Sequence, residues 1–238
     1  MLSKQMTAIL ALLGGSGARE RSAGLADAAA AAAAAALGVD GIAAGIGTGP
    51  TGMVLAWGQR ETSAALEDAQ FTLGQGPCVE AVSRGAPILV ADLAAEAARW
   101  PGFVLAAAAL DVRAVFAFPL RIGAISAGVL LAHREATGPL STQQWADASA
   151  LADAVTLLLL HDATLETDTT GTPADAPRPG WAAPSTYRAQ VHQATGMIGV
   201  QLNVDLAEAL VRLRAHAYAR DRRVAEVADD VVARRLRF

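Results

Sequence analysis

Apolar positions recur along the chain at two periods, helical in some stretches and extended in others, and this alternation divides it into elements. A segment over about residues 22–36, with an unbroken alanine run from Ala28 to Ala36, predicts a helix, because alanine has the highest intrinsic helix propensity. Extended candidates follow at Val39–Gly47 and Gly52–Trp57, joined by the turn residues Thr48, Gly49 and Pro50, a pattern that predicts a hairpin. Further strands are expected at Pro87–Ala91, Val112–Leu120 and Ala124–His133, the last two separated by the polar break Arg121–Gly123. Helices are expected near Glu61–Ala69, Pro77–Ser83 and Pro101–Leu110. A long helix over about Ser141–His161 carries Trp145, Ala148, Leu151, Ala152, Val155, Leu158 and Leu159 at helical spacing. Its apolar face is a core stripe or a dimer seam, with the core stripe preferred. Helices mixed with a hairpin-rich order of strands imply an α+β fold rather than a doubly wound sheet.

Residues 162–180 hold Pro173, Pro177 and Pro179 among Thr, Asp, Gly and Ala and have almost nothing to bury, so they are expected to be a flexible linker. Beyond them three short helices are expected. Tyr187, Val191, Ala194, Ile198 and Leu202 share one face of the first. Asp205 stands as N-cap of the second, with Glu208 three positions on and Leu206, Leu210, Leu213 and Ala217 forming its stripe. The third repeats the device, with Val224, Val227, Ala228, Val231 and Val232 on its apolar side. Helices this short bury such faces only against one another, which implies a three-helix bundle.

The 238 residues suffice for one medium and one small domain. Hydrophobic residues make up 53% of the chain, but much of this is alanine, and no stretch of about 20 strongly apolar residues suits a membrane span. Lys4 before the apolar stretch Ala8–Leu13 imitates a secretory signal, yet an amphipathic first helix accounts for the same residues and is the expectation here. The single thiol, Cys78, allows no internal disulfide and suits a reducing cytoplasm. Charge divides the chain: residues 181–238 hold 9 Arg against 6 Asp and Glu, whereas the remainder is acidic. A basic tail on an acidic body is where a polyanion is expected to bind, although a solvated helix surface gives the same count.

Catalytic motifs are missing. With Lys4 as the only lysine, there is no phosphate-binding loop ending in lysine and no kinase-type lysine. Gly47, Gly49 and Gly52 satisfy G-x-G-x-x-G, but the extended run Met53–Trp57 follows where a dinucleotide site needs a helix, so a hairpin turn is the better reading. His133, His161, His192 and His216 are isolated from other zinc-type ligands, and no metal site is expected. No nucleophile elbow is present, and the chain is not expected to be an enzyme. In Gly74-Gln75-Gly76-Pro77-Cys78, proline suits the first turn of a helix, where a thiol's pKa is lowered. Cys78 is therefore a candidate for redox chemistry or ligand contact, against the simpler role of a small buried apolar residue. Trp57 and Phe116 join it as possible ligand or redox residues. In the tail, Arg188, Arg212, Arg214, Arg220, Arg222 and Arg223 are candidates for phosphate contact, because a guanidinium offers planar paired donors.

The run Val191-His192-Gln193-Ala194-Thr195-Gly196-Met197-Ile198, with Ala207-Glu208-Ala209-Leu210, Leu213-Arg214, Ala217 and Val227-Ala228 after it, closely resembles the ANTAR domain. The resemblance covers nearly all of residues 185–236 and implies a three-helix RNA-binding module that lets transcription pass a terminator. One position departs: many members carry lysine where this chain has Thr195. The earlier part is similar to GAF domains of the kind often fused to ANTAR in actinobacteria. That likeness rests on Leu73-Gly74-Gln75-Gly76-Pro77-Cys78, on Val90-Ala91-Asp92-Leu93 with Trp100-Pro101-Gly102-Phe103, and on Gly128-Val129-Leu130, over about residues 20–160. It implies a central antiparallel sheet flanked by helices, with a pocket for a small ligand or an interface.

Together these resemblances imply an N-terminal helix or tail over residues 1–19, a GAF-like sensory domain over 20–161, the linker over 162–180 and an ANTAR domain over 181–238. They imply a cytoplasmic, homodimeric antiterminator that holds hairpins of leader transcripts, with no stated cofactor. Arg188, Gln193, Ala194, Thr195, Gly196, Arg212, Arg214 and Arg222 are its expected RNA-binding residues. The alternatives are a DNA-binding regulator and a dimerising sensor that acts only through protein partners.

Overall fold

The structure, a computed structural model, describes residues 2–15, 23–47, 54–58, 61–123, 125–167, 186–220 and 222–238. Five strands form one antiparallel sheet: β1 (Gly41–Ile46), β2 (Val54–Gly58), β3 (Ile88–Val90), β4 (Ala114–Ile122) and β5 (Ile125–Arg134), in the order β2-β1-β5-β4-β3. The expected pairing of β1 with β2 is present, with Ala44 opposite Trp57; the turn residues Thr48, Gly49 and Pro50 lie outside the described residues. The alternation along β4 shows why both sheet faces need cover. Phe116, Phe118 and Leu120 point into one core and Val115 and Ala117 into the other.

Helices α1 (Lys4–Gly15), α2 (Ala23–Leu37) and α6 (Thr142–Thr167) cover the first face. The alanine run serves packing as well as propensity: Ala29, Ala30, Ala33 and Ala34 are buried there beside Leu37. Arg134 closes the end of α2, its Nε donating to the carbonyl of Gly38 at 2.7 Å and its Nη2 to that of Leu37 at 3.2 Å. Helix α1 buries Met6, Ile9 and Leu13 and is tied to α6 where the Ser3 amide donates to Asp147 Oδ1 at 3.0 Å. On the second face lie α3 (Glu61–Leu73), α4 (Pro77–Arg84) and α5 (Pro101–Ala108), with Leu66, Cys78, Ala81, Phe103 and Ala107 buried against the sheet.

The face of α6 is a core stripe, with Ala148, Leu151, Ala152 and Val155 buried; Trp145, expected on it, is half exposed. Helix α6 also continues through Thr167, into the stretch expected as linker, because Asp162–Thr167 contains neither glycine nor proline to end it. The rest of that stretch lies outside the described residues.

The C-terminal elements are α7 (Thr186–Leu202), α8 (Leu206–Ala219) and α9 (Val224–Val232), which bury Val191, Ala194, Ile198, Leu210, Leu213, Val227 and Val231 in a common core. Asp205 caps α8 as expected, accepting from the Glu208 amide at 2.8 Å. The device is not repeated at α9, where Arg223 occupies the cap position without a side-chain cap bond. After α9 the chain folds back, the Phe238 amide donating to Gln201 Oε1 at 3.0 Å and its ring lying 4.9 Å from that of His216.

His133 is buried on β5, and burial holds its imidazole below the ordinary value of about 6.5, with Asp40 opposing the shift. The unfolded chain takes up this proton below about pH 6.5 while the fold resists it, so this contribution to stability is full above that pH and is lost as pH falls. Denaturant midpoints are expected to be lower at about pH 5.5 than at about pH 7.5, on the basis of that titration range. In His133→Gln the difference should shrink, and an equal difference in the two proteins would exclude His133 as its source.

Candidate functional site

The loop between α3 and α4 is built around one buried amide. Helix α3 ends at Leu73, Gly74 takes φ 65°, and Pro77 opens α4. Gln70 lies buried on α3, and its Oε1 accepts from the Cys78 backbone N–H at 2.7 Å, satisfying one of the orphan donors that begin α4. Gly76 makes this possible: at φ 132°, a Cβ there would stand 2.6 Å from Gln70 Oε1. The other end of the amide, Nε2, is buried and finds no hydrogen-bond partner among the described residues.

Beside this loop is a cavity of about 330 Å³. The sheet-containing fold lines it with Gly47 at the end of β1, with Glu67, Gln70, Phe71 and Gly74, and with Cys78, Val79, Val82 and Ser83 of α4. Among the described residues, the remaining wall comes from the C-terminal bundle. Arg214 of α8 lies with its Cζ 5.1 Å from the centre of the Phe71 ring, within cation–π range. A Cβ on Gly74 would stand 3.1 Å from Arg214 Nη1, so the missing side chain makes room for the guanidinium. Burial lowers the pKa of Arg214 from its ordinary value, and its Nε is buried without a hydrogen-bond partner among the described residues. Phe71, though part of α3, packs into the core of the bundle. A second charge lies at the same junction: burial raises the pKa of Asp68 while attraction to Arg223 opposes the rise.

Of the ligand candidates, only Cys78 reaches this cavity. Trp57 and Phe116 pack with the core on the opposite sheet face, Phe116 fully buried with the Arg134 guanidinium 5.3 Å from its ring centre. The lowered thiol pKa expected for Cys78 is not found. The residue is 1% exposed, and burial pushes the thiol up to about 12, outweighing the lowering by the Gln70 side chain.

The expected RNA-binding residues separate into three sets. Gln193, Arg212 and Arg222 are exposed, and a Cβ on Gly196 would meet nothing within 4 Å. Ala194 and Thr195 are buried in the bundle, where the Thr195 hydroxyl donates to the Val191 carbonyl at 2.7 Å, so they reach an outside molecule only if the bundle opens. Arg214 is turned onto Phe71 of α3, and the side chain of Arg188 lies outside the described residues. Several arginines are engaged within the bundle: Arg212 with Glu208 at 2.8 Å, Arg222 with Asp230 at 2.8 Å, Arg223 with Glu226 at 2.8 Å, and Arg235 with Asp229 and Asp230. Arg220 is exposed and makes no ion pair among the described residues. Sequence reasoning passes over Tyr218, 84% exposed on α8, and the cavity residues Gln70 and Phe71. Aromatic side chains on a helix read as core unless the periodicity is followed to the outer face, where Val211, Ala215 and Tyr218 recur at spacings of four and three.

Comparison with solved structures identifies the class of the first fold. It is similar to the GAF domain of a phosphoenolpyruvate-protein phosphotransferase from Acinetobacter, with TM-score 0.52 and 13% identity over 71% of this chain and 95% of that one. A free methionine-R-sulfoxide reductase from Neisseria meningitidis, solved in complex with its substrate, gives TM-score 0.51 and 18% identity over 68% and 90%. The phycocyanobilin-bound GAF domain of a cyanobacterial phytochrome gives TM-score 0.51 and 12% identity over 71% and 100%. These identities establish a GAF-like fold. No curated protein matches the chain in sequence. Residues 185–232 match the family model of the ANTAR domain, so α7, α8 and α9 form an ANTAR domain joined to a GAF-like fold. The GAF-like fold is shared by the reductase as well as by the phosphotransferase and phytochrome domains. Among the described residues no helix is long and apolar enough to cross a membrane, and no His, Cys, Asp and Glu cluster is arranged to hold a metal ion.

The burial of Cys78 has a direct chemical consequence. Iodoacetamide at about pH 8, near the pKa of an unperturbed thiol, should leave Cys78 unmodified in the folded chain and label it fully after unfolding, as read by intact mass. Rapid labelling of the folded chain would contradict the burial described.

Proposed function

We propose that this protein is a signal-responsive transcription antiterminator, in which the ANTAR domain binds RNA hairpins of leader transcripts under the control of the GAF-like domain. The observation that carries this reading is the ANTAR match over residues 185–232, which coincides with the three-helix bundle. The surface chemistry supports it. Tyr218 offers a flat exposed face for a looped-out base, Arg212 and Arg220 offer charge to phosphates, and Gln193 beside the open backbone of Gly196 offers an amide for base edges. A stem of A-form RNA has a major groove too narrow for such side chains, so the loop is the part they can read.

Acting on nascent transcripts requires a cytoplasmic protein, and paired hairpins fit a homodimer with one ANTAR domain for each. We assign the chain no catalysis: its one thiol is buried and unionised, which fits ligand sensing better than turnover. The ligand of the GAF-like domain follows from its cavity rather than from its fold relatives, whose substrate and chromophore belong to those proteins alone.

Replacing Arg212 and Arg220 together by alanine in the full-length chain tests this reading. Hairpin affinity should fall, and the slope of log Kd against log salt should drop by about one for each phosphate that is no longer neutralised. Unchanged affinity and slope would overturn the surface assigned here. Preferential competition by duplex DNA would identify a DNA-binding regulator instead, and no salt-dependent binding of either nucleic acid would leave a sensor acting through protein partners.

A further inference from the structure

Two buried hydrogen-bond donors without partners among the described residues face one cavity from different domains. Arg214 Nε comes from the ANTAR domain and Gln70 Nε2 from α3 of the GAF-like fold. Donors buried in this way call for an acceptor, and a guanidinium calls for an anionic one, since its planar fork matches a carboxylate. The rest of the lining is mainly apolar, from Phe71, Cys78, Val79 and Val82. The volume of about 330 Å³ lies at the small end of small-molecule sites. Among the described residues, the one guanidinium in the lining supplies a single positive charge, which suits a singly charged occupant better than a phosphate ester.

We propose that this cavity is a two-domain site for a small monocarboxylic acid with an apolar body, whose acid group is held jointly by Arg214 of the ANTAR domain and Gln70 of the GAF-like fold. The site exists in full only while the bundle is docked, because α8 supplies the cation. An occupant that touches both domains binds the docked arrangement more tightly than the undocked one, so it shifts the population toward docking. Phe71 packed in the bundle core and Arg223 drawn toward Asp68 already favour that arrangement without it. The consequence for RNA rests on the function proposed above and on Arg214, an expected RNA contact, having to leave the junction to reach a hairpin: an acid that keeps the bundle docked then weakens hairpin binding.

The test uses the full-length chain and three probe acids, hexanoate, benzoate and phenylacetate, each compared with its uncharged amide. Titration calorimetry should show acid binding roughly tenfold tighter than amide binding or better, as expected of a charge-assisted pair. That preference should disappear in Arg214→Met and persist in Arg212→Met on the exposed side of the same helix. Arg214→Lys, which keeps the charge without the fork, should retain part of the preference. Hydrogen exchange should show added protection in α3 and α8 together when acid is present. Equal binding of acid and amide, undiminished acid preference in Arg214→Met, or no acid binding at millimolar concentration would each overturn the site. Hairpin affinity measured on the same samples separates the two proposals: acid binding through Arg214 in a chain that ignores hairpin RNA would sink the RNA reading alone, and hairpin binding indifferent to acid would sink the coupling.

Discussion

A sheet with apolar side chains on both faces cannot stand in water without a layer of helices on each, and every later feature of this chain follows from how that cover is supplied. On one face the small side chains of α2 sit beside α1 and α6 over Phe116, Phe118 and Leu130. On the other, α3, α4 and α5 cover a core in which Phe103 is fully buried; replacing such a residue by alanine removes about 3–5 kcal/mol. Helix α3 has obligations in two directions. Leu66 belongs to the sheet side, while Phe71 belongs to the core of the C-terminal bundle.

Because α3 is shared, the GAF-like fold and the ANTAR bundle meet at a buried polar seam rather than across open solvent. Gln70 shows how tightly that seam is used. One end of its amide fixes the first turn of α4, so the side chain cannot swing to follow an occupant, and the other end is left facing the cavity. The small residues of the loop then follow as a consequence: Gly76 clears space for the Gln70 carbonyl and Gly74 clears space for Arg214. A motif that identifies the fold in sequence is thus also the place where the second domain enters.

Most secondary structure is legible in the sequence because period and composition agree, as in the alanine helix, the β4–β5 pair and the capped start of α8. What escapes is direction. Trp57 and Phe116 look like ligand contacts because aromatic residues line pockets, yet residue type alone does not say which sheet face a side chain occupies. Cys78 misleads because its place at a helix start is visible in the sequence and its burial, which raises the thiol pKa, is not. Arg212 and Arg214 fall together by closeness in sequence, although two residues on a helix turn roughly 200° and face apart. The extension of α6 is hidden because polar composition imitates a break, and polar residues do not end a helix unless glycine, proline or a competing cap does so.

The choice of arginine at position 214 fixes what kind of input the junction can answer to. Partial drying of that corner weakens the hold of any basic group on its proton, and an amine, less basic to begin with, has less to spare. A guanidinium has enough basicity to spare that it stays cationic. The cation at position 214 is therefore deaf to acidity and left to respond to chemistry that arrives as a molecule.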